Sequence, residues 1–223
     1  GRPGPVLIDI PIDVQEQSLK RFAYPAEVNI RGYKPSVRGN DLQIKRVVDA
    51  IAQSKQPLIC AGGGVWLADA KEELLELAER CSIPVVKTMM GLGLLPTDHP
   101  LNMGMIGAHG NHCANKALAK ADLLIMVGTR AADRAMVDPG EIQRRMATIH
   151  IDVDPAEIGK NMTPTVPLVG DVKNILEKLL EYDVLTDSGE WIEKLQALAR
   201  EEREKVSEKR KTKIIFRTCS NTN

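Results

Sequence analysis

Aromatic side chains are scarce in this sequence: two Trp, three Tyr and two Phe make up 3% of 223 residues. The core must therefore be aliphatic, and there is little material for stacking on single-stranded bases. Net charge is also missing, since 30 Lys and Arg balance 30 Asp and Glu. A dedicated nucleic-acid binder carries a basic surplus, so nucleic acid is excluded as a partner. Long apolar runs are absent too. Stretches such as Leu123–Val127 fall far short of the roughly 20 residues of a membrane span, which excludes a membrane role. No charged-then-apolar leader is visible. The chain starts at Gly1, with Val6-Leu7-Ile8 following almost at once, so the expectation is a fragment that begins inside a fold. The four cysteines, Cys60, Cys81, Cys113 and Cys219, form neither a C-x-x-C nor a framework spacing. Buried free thiols in a reducing, cytoplasmic compartment are expected.

What is present is the balance of a soluble globular protein, 43% apolar and 27% charged. Short apolar runs alternate with helical periodicity. Val6–Ile10, Leu58–Ala61, Pro84–Lys87, Leu123–Val127, Thr148–Val153 and Val166–Val169 read as strands. Most are continuously apolar, as in parallel strands buried on both faces. Ile44, Val47, Val48 and Ile51 mark a helix behind Asn40-Asp41, and Leu67, Ala70, Leu74, Leu77, Ala78 and Cys81 a second. Val172, Ile175, Leu176, Leu179 and Leu180 form a third, with Asp171 as N-cap. Asp138-Pro139-Gly140-Glu141 and Asp154-Pro155-Ala156-Glu157 both read as helix starts. This alternation predicts an α/β fold with right-handed crossovers. Pro11 to Arg38 reads as a linker, and Arg200 to Lys211 as a solvated helix or linker.

In open α/β sheets, ligands lie beyond the carboxyl ends of the strands. Here those ends carry Gly62-Gly63-Gly64, Thr88-Met89, Gly128-Thr129-Arg130 and Asp152-Val153-Asp154, and the loop Gly104 to Gly110 adds glycines and His109. Three glycines before a helix let backbone N–H groups approach a phosphate. A tight strand–helix turn explains them equally well. The dinucleotide fingerprint G-x-G-x-x-G fails at Leu67, and Lys87-Thr88 stands where a ribose-binding acid belongs. Arg130 and Arg134 are candidates to pair with a diphosphate, and Asp152 to accept from a ribose hydroxyl. Met89, Met90, Met103 and Met105 either line a flat ring pocket or fill the core. His109, His112 and Cys113 lack a fourth ligand at a usual spacing, so no metal site is assigned.

The segments GRPGPVLIDIPIDVQ, LICAGGGV, PVVKTMMGLGLLPTDHPLNMGMIGAHG, ANKALAKADLLIMVGTRAADR and IHIDVDPAEIGKNMTPTVPLVGDVK follow one another in order. This ordered set resembles the large subunit of acetolactate synthase, a thiamine-diphosphate enzyme. The resemblance implies a six-stranded parallel Rossmann-like sheet with helices on both faces, the family's middle domain, over residues 38–183. Residues 1–14 resemble the last strand of an N-terminal pyrimidine-binding domain. Residues 15–37 would be a linker, and 184–223 a charged helix and linker toward a C-terminal diphosphate-binding domain.

The family's middle domain holds FAD in an extended form that takes no redox part in the main reaction. By resemblance the flavin contacts would be Gly62, Gly63, Gly64, Thr88, Met89, Ile106, Gly107, His109, Gly128, Arg130, Arg134, Asp152, Val153 and Asp171. Arg2 would reach the cofactor from the neighbouring segment. Many members read G-x-R-F-D-D-R where this chain has Gly128-Thr129-Arg130-Ala131-Ala132-Asp133-Arg134. Related middle domains bind ADP or nothing, so both remain alternatives to FAD. The resemblance further implies a parent that condenses two 2-oxo acids, pyruvate with pyruvate or 2-oxobutyrate, with loss of CO₂. It would be a homo-oligomer with a possible regulatory subunit, using thiamine diphosphate and Mg²⁺. The Gly-Asp-Gly…Asn segment that holds them is not found, since the only Gly-Asp is Gly170-Asp171, followed by Val172. No catalytic residue is therefore assigned. A remote alternative is a sirtuin-like NAD-consuming deacylase with His109 as its catalytic histidine.

Overall fold

Five-residue apolar runs such as Leu123–Val127 bury every side chain, which only a sheet covered on both faces allows. The computed structural model describes residues 2–27, 29–132, 135–136 and 138–219, with side chains as far as Ser207. In chain order the elements are α1 (Ile12–Gln15), α2 (Asp41–Gln53), β1 (Pro57–Ala61), α3 (Gly63–Leu67) and α4 (Lys71–Arg80). Next come β2 (Val85–Lys87), a 3₁₀ turn (Met89–Gly91), β3 (Asn102–Met105), α5 (His112–Lys120) and β4 (Leu123–Val127). The last are α6 (Pro139–Arg145), β5 (Ala147–Asp152), β6 (Val166–Val169), α7 (Val172–Leu180) and α8 (Gly189–Cys219).

The six strands form one parallel sheet in the order β3-β2-β1-β4-β5-β6. This is the doubly wound arrangement, in which strand order reverses between β1 and β4 and opens a crevice there. Alternate strand residues feed two cores. Ile59, Ile125 and Ile149 pack with α2, α4 and α7 through Ile44, Leu74 and Ile175. Leu58, Cys60, Leu124 and Met126 pack with α5, α6 and α8 through Ala114, Ile142 and Leu195. Each fully buried Leu or Ile contributes about 1.5–3 kcal/mol.

Several expectations need correction. Val6–Ile10 is not a strand; Val6, Leu7 and Ile8 are exposed, and among the described residues no strand pairs with them. The sixth strand is β3 instead. The stripe from Leu67 to Cys81 is broken into α3 and α4, because Asp69 takes a positive φ of 51°, and Leu67 is exposed. Asp138 caps α6 by accepting the Glu141 N–H, as expected. The matching box at Asp154 makes only a turn. Its Asp154 N–H is taken by the Asp152 side chain, and Glu157 faces Arg2 and Lys160 rather than returning to the cap. Trp191 and Leu195 of α8 are buried, with Trp191 Nε1 donating to the Pro57 carbonyl. The first half of α8 therefore belongs to the domain core. No helix among the described residues is long and apolar enough to cross a membrane.

Candidate functional site

The crevice at the strand reversal is a cleft of about 890 Å³, within the range of small-molecule sites. Gly63, Gly64, Gly128, Thr129 and Arg130 lie at its centre, after β1 and β4. Thr88 and Met89 come from the end of β2, Ile106 and His109 from the loop after β3. Asp152 and Val153 end β5, Asp171 follows β6, and Arg2 reaches in from the N-terminal segment. Nearly all of the residues chosen from strand ends and resemblance thus meet in one cavity. Gly62 and Gly107 are not among the residues that line it, and Arg134 lies outside the described residues.

The glycines after β1 and β4 have a reason beyond approach to a phosphate. A Cβ on Gly64 would lie 2.6 Å from Gly128 Cα, and one on Gly62 would lie 2.8 Å from Thr129 Cα. Gly128 itself has φ +56°, where a Cβ would also meet the Gly64 backbone at 2.7 Å. The two loops interlock backbone against backbone. Two of the three N–H groups are spent on this contact: Gly62 donates to Val127 O at 3.0 Å and Gly64 to Gly128 O at 2.9 Å.

His150 of β5 braces the same loop from below. It is buried, and its Nε2 lies 3.0 Å from the Thr129 carbonyl oxygen. A carbonyl only accepts, so Nε2 carries the hydrogen. Burial holds the ring's pKa below its ordinary value, against the opposing pull of Asp152. Asp171 caps α7 by accepting the Asn174 N–H at 3.2 Å. Its carboxylate therefore has a structural duty as well as a place on the cleft wall.

The cleft is divided chemically. At one end Trp66, Leu67, Met89 and Met90 are exposed apolar groups, joined by Met105 and Ile106. Met103, by contrast, is core. At the other end stand the carboxylates of Asp152, Glu157 and Asp171 with the cations of Arg2 and Arg130. The Glu157 side chain is only 8% exposed and meets Arg2 at 3.5 Å and Lys160 at 3.4 Å. A ligand with a flat apolar end, an anionic centre and a hydroxyl-rich stretch would find a matching surface at each. Sequence reasoning missed Trp66, Leu67 and Glu157. Leu67 and Glu157 fall within helix patterns in the sequence, whereas Trp66 stands two residues after the glycine turn, and that position is the available signal. Among the described residues no group of three or more His, Cys, Asp or Glu is placed to hold a metal ion.

A family model described as thiamine pyrophosphate enzyme, central domain, matches residues 44–179. A probable acetolactate synthase large subunit of Methanocaldococcus jannaschii is 47% identical over 203 residues, covering 89% of this chain and 34% of that protein. The acetolactate synthase large subunit of Corynebacterium glutamicum is 44% identical over 203 residues, covering 89% of this chain and 32% of its own. That of Buchnera aphidicola is 43% identical over 183 residues, covering 82% and 32%. The chain spans about a third of the length of these relatives.

Proposed function

The chain belongs to the thiamine pyrophosphate enzyme family, whose central domain it contains, and from that premise we propose that it is the FAD-holding middle domain of an acetolactate synthase large subunit. The observation that carries this reading is the cleft at the strand reversal, with its apolar rim and its opposite end of arginines and carboxylates. In this role Arg130 binds the diphosphate, joined by Arg134. Asp152 accepts from a sugar hydroxyl, and Trp66, Met89 and Met90 cover the flat ring. Arg2 adds a cation from outside the sheet, positioned by Glu157. The interlocked glycine loops fix the floor on which these groups converge.

Bound FAD in this family takes no redox part in the main reaction, so this chain's own work is binding and shaping. The parent enzyme would condense two 2-oxo acids with loss of CO₂, as a cytoplasmic homo-oligomer with thiamine diphosphate and Mg²⁺ held by other domains. Residues 38–183 are the middle domain in this reading; 1–14, 15–37 and 184–223 lead to its neighbours. Equilibrium dialysis of the chain against FAD and ADP tests it. Retention of about one FAD per chain, with no acetolactate formed from pyruvate even with thiamine diphosphate and Mg²⁺, is expected. If neither nucleotide is retained the site assignment fails, and turnover by the purified chain overturns the non-catalytic reading.

A further inference from the structure

The cleft wall that carries Ile106 and His109 is the loop between β3 and α5, and it is held from an unexpected direction. The first N–H groups of any helix lack partners inside the helix. Asn111 stands at the N-cap position of α5, yet its side chain makes no capping bond. Its Oδ1 instead accepts the Met105 N–H at 2.9 Å, while the Asn111 N–H donates to the Met105 carbonyl at 2.7 Å. Asn111 thus closes the loop on itself. Gly104 makes room for it: with φ +99°, a Cβ there would lie 2.7 Å from Asn111 Cγ.

The vacated cap is supplied by α8. Glu202 Oε1 accepts the His112 N–H and Oε2 the Cys113 N–H, both at 2.9 Å. These are charge-assisted bonds from a carboxylate at the positive end of a helix. The first turn of α5 that they fix also carries Asn115. That side chain grips Gly107 twice, accepting its N–H at 2.9 Å and donating to its carbonyl at 3.0 Å.

We infer that Glu202 is a positioning residue for the cleft: by capping α5 from α8, it leaves Asn111 and Asn115 free to hold the Met105–Gly110 wall. Docking of α8 and the shape of the cleft are then one coupled event. Arg203, donating to the Thr97 carbonyl at 3.1 Å, and Gln196, donating to Pro100 at 3.3 Å, seat the same stretch of α8.

Hydrogen exchange on the full chain tests this with Glu202→Ala and Glu202→Gln. In the alanine variant the amides of His112, Cys113, Met105 and Gly107 should exchange about fivefold faster, the size of a lost helix cap. Ile59 and Ile125 in the central strands should be unchanged, and the glutamine variant should be intermediate because it keeps a single acceptor oxygen. Acceleration at His112 and Cys113 alone overturns the coupling. Equal acceleration at Ile59 and Ile125 in both variants also overturns it, since Glu202 would then serve only global stability. The readout needs no flavin, so it stands or falls separately from the cofactor reading, on which any accompanying loss of FAD affinity would rest.

Discussion

Replacing Gly128 by Ala strikes the contact on which the cleft floor depends. At φ +56° a side chain in the left-handed region costs about 1–2 kcal/mol. The new Cβ would stand 2.7 Å from Gly64 Cα and 2.8 Å from Val65 N, both backbone atoms with no rotamer to yield. Overpacking of this kind adds about 1–3 kcal/mol. Stiffening of the unfolded chain by alanine returns about 0.4–1 kcal/mol. The expected net loss is about 1–4.5 kcal/mol, set against a typical domain's stability of 5–15 kcal/mol. Gly64→Ala meets the same contact from the other side, at 2.6 Å from Gly128 Cα, but without the dihedral penalty and with better helix propensity. It should lose less. Gly4→Ala, where nothing lies within 4 Å of the added Cβ, serves as the control. Urea unfolding followed by circular dichroism reads all three. A Gly128→Ala midpoint indistinguishable from the control would refute the interlock.

Other predictions rest on separate contacts. Burial raises the Cys60 thiol to about 12 from an ordinary 9. The unfolded chain therefore releases its proton first, and stability should fall between pH 9 and 12 by up to about 1.4 kcal/mol per pH unit. Cys60→Ala should flatten that decline, as measured by denaturation at each pH. His150 runs the opposite way: its depressed pKa means stability is present above about pH 6.5 and is lost as pH falls through the folded value. NMR titration of the ring should give a midpoint below the ordinary histidine value. Trp191→Ala empties a buried site and removes the bond to the Pro57 carbonyl, with an expected cost of about 3–5 kcal/mol. A loss below about 1 kcal/mol would show that α8 is not part of the core.

Much of this architecture is legible in the sequence because buried parallel strands are written as unbroken apolar runs. Leu58–Ala61 and Leu123–Val127 declare themselves, and their carboxyl ends then locate the cleft. Asn102–Met105 does not, since an edge strand of Asn, Met and Gly lacks β-branched residues and pairs on one side, with an irregular register beside Val85 and Val86. Helix starts were legible where the capping carboxylate has no competitor, as at Asp171. They failed at Asp154, where Asp152 and the Arg2–Glu157 pair redirect the same groups. The glycines were visible, but not the reason for them, because the Gly64–Gly128 contact joins strand ends far apart in sequence. The docking of α8 was hidden for the same reason: Glu202 meets α5 across 90 residues.

The most direct measurement is a titration of the folded chain with FAD followed through tryptophan emission. Trp66 lines the cleft, while Trp191 is buried at the base of α8. Saturable quenching at about one FAD per chain is expected, lost in Trp66→Phe and weakened in Arg130→Ala. A folded chain whose emission shows no saturable response, and which retains no flavin on gel filtration, would contradict it.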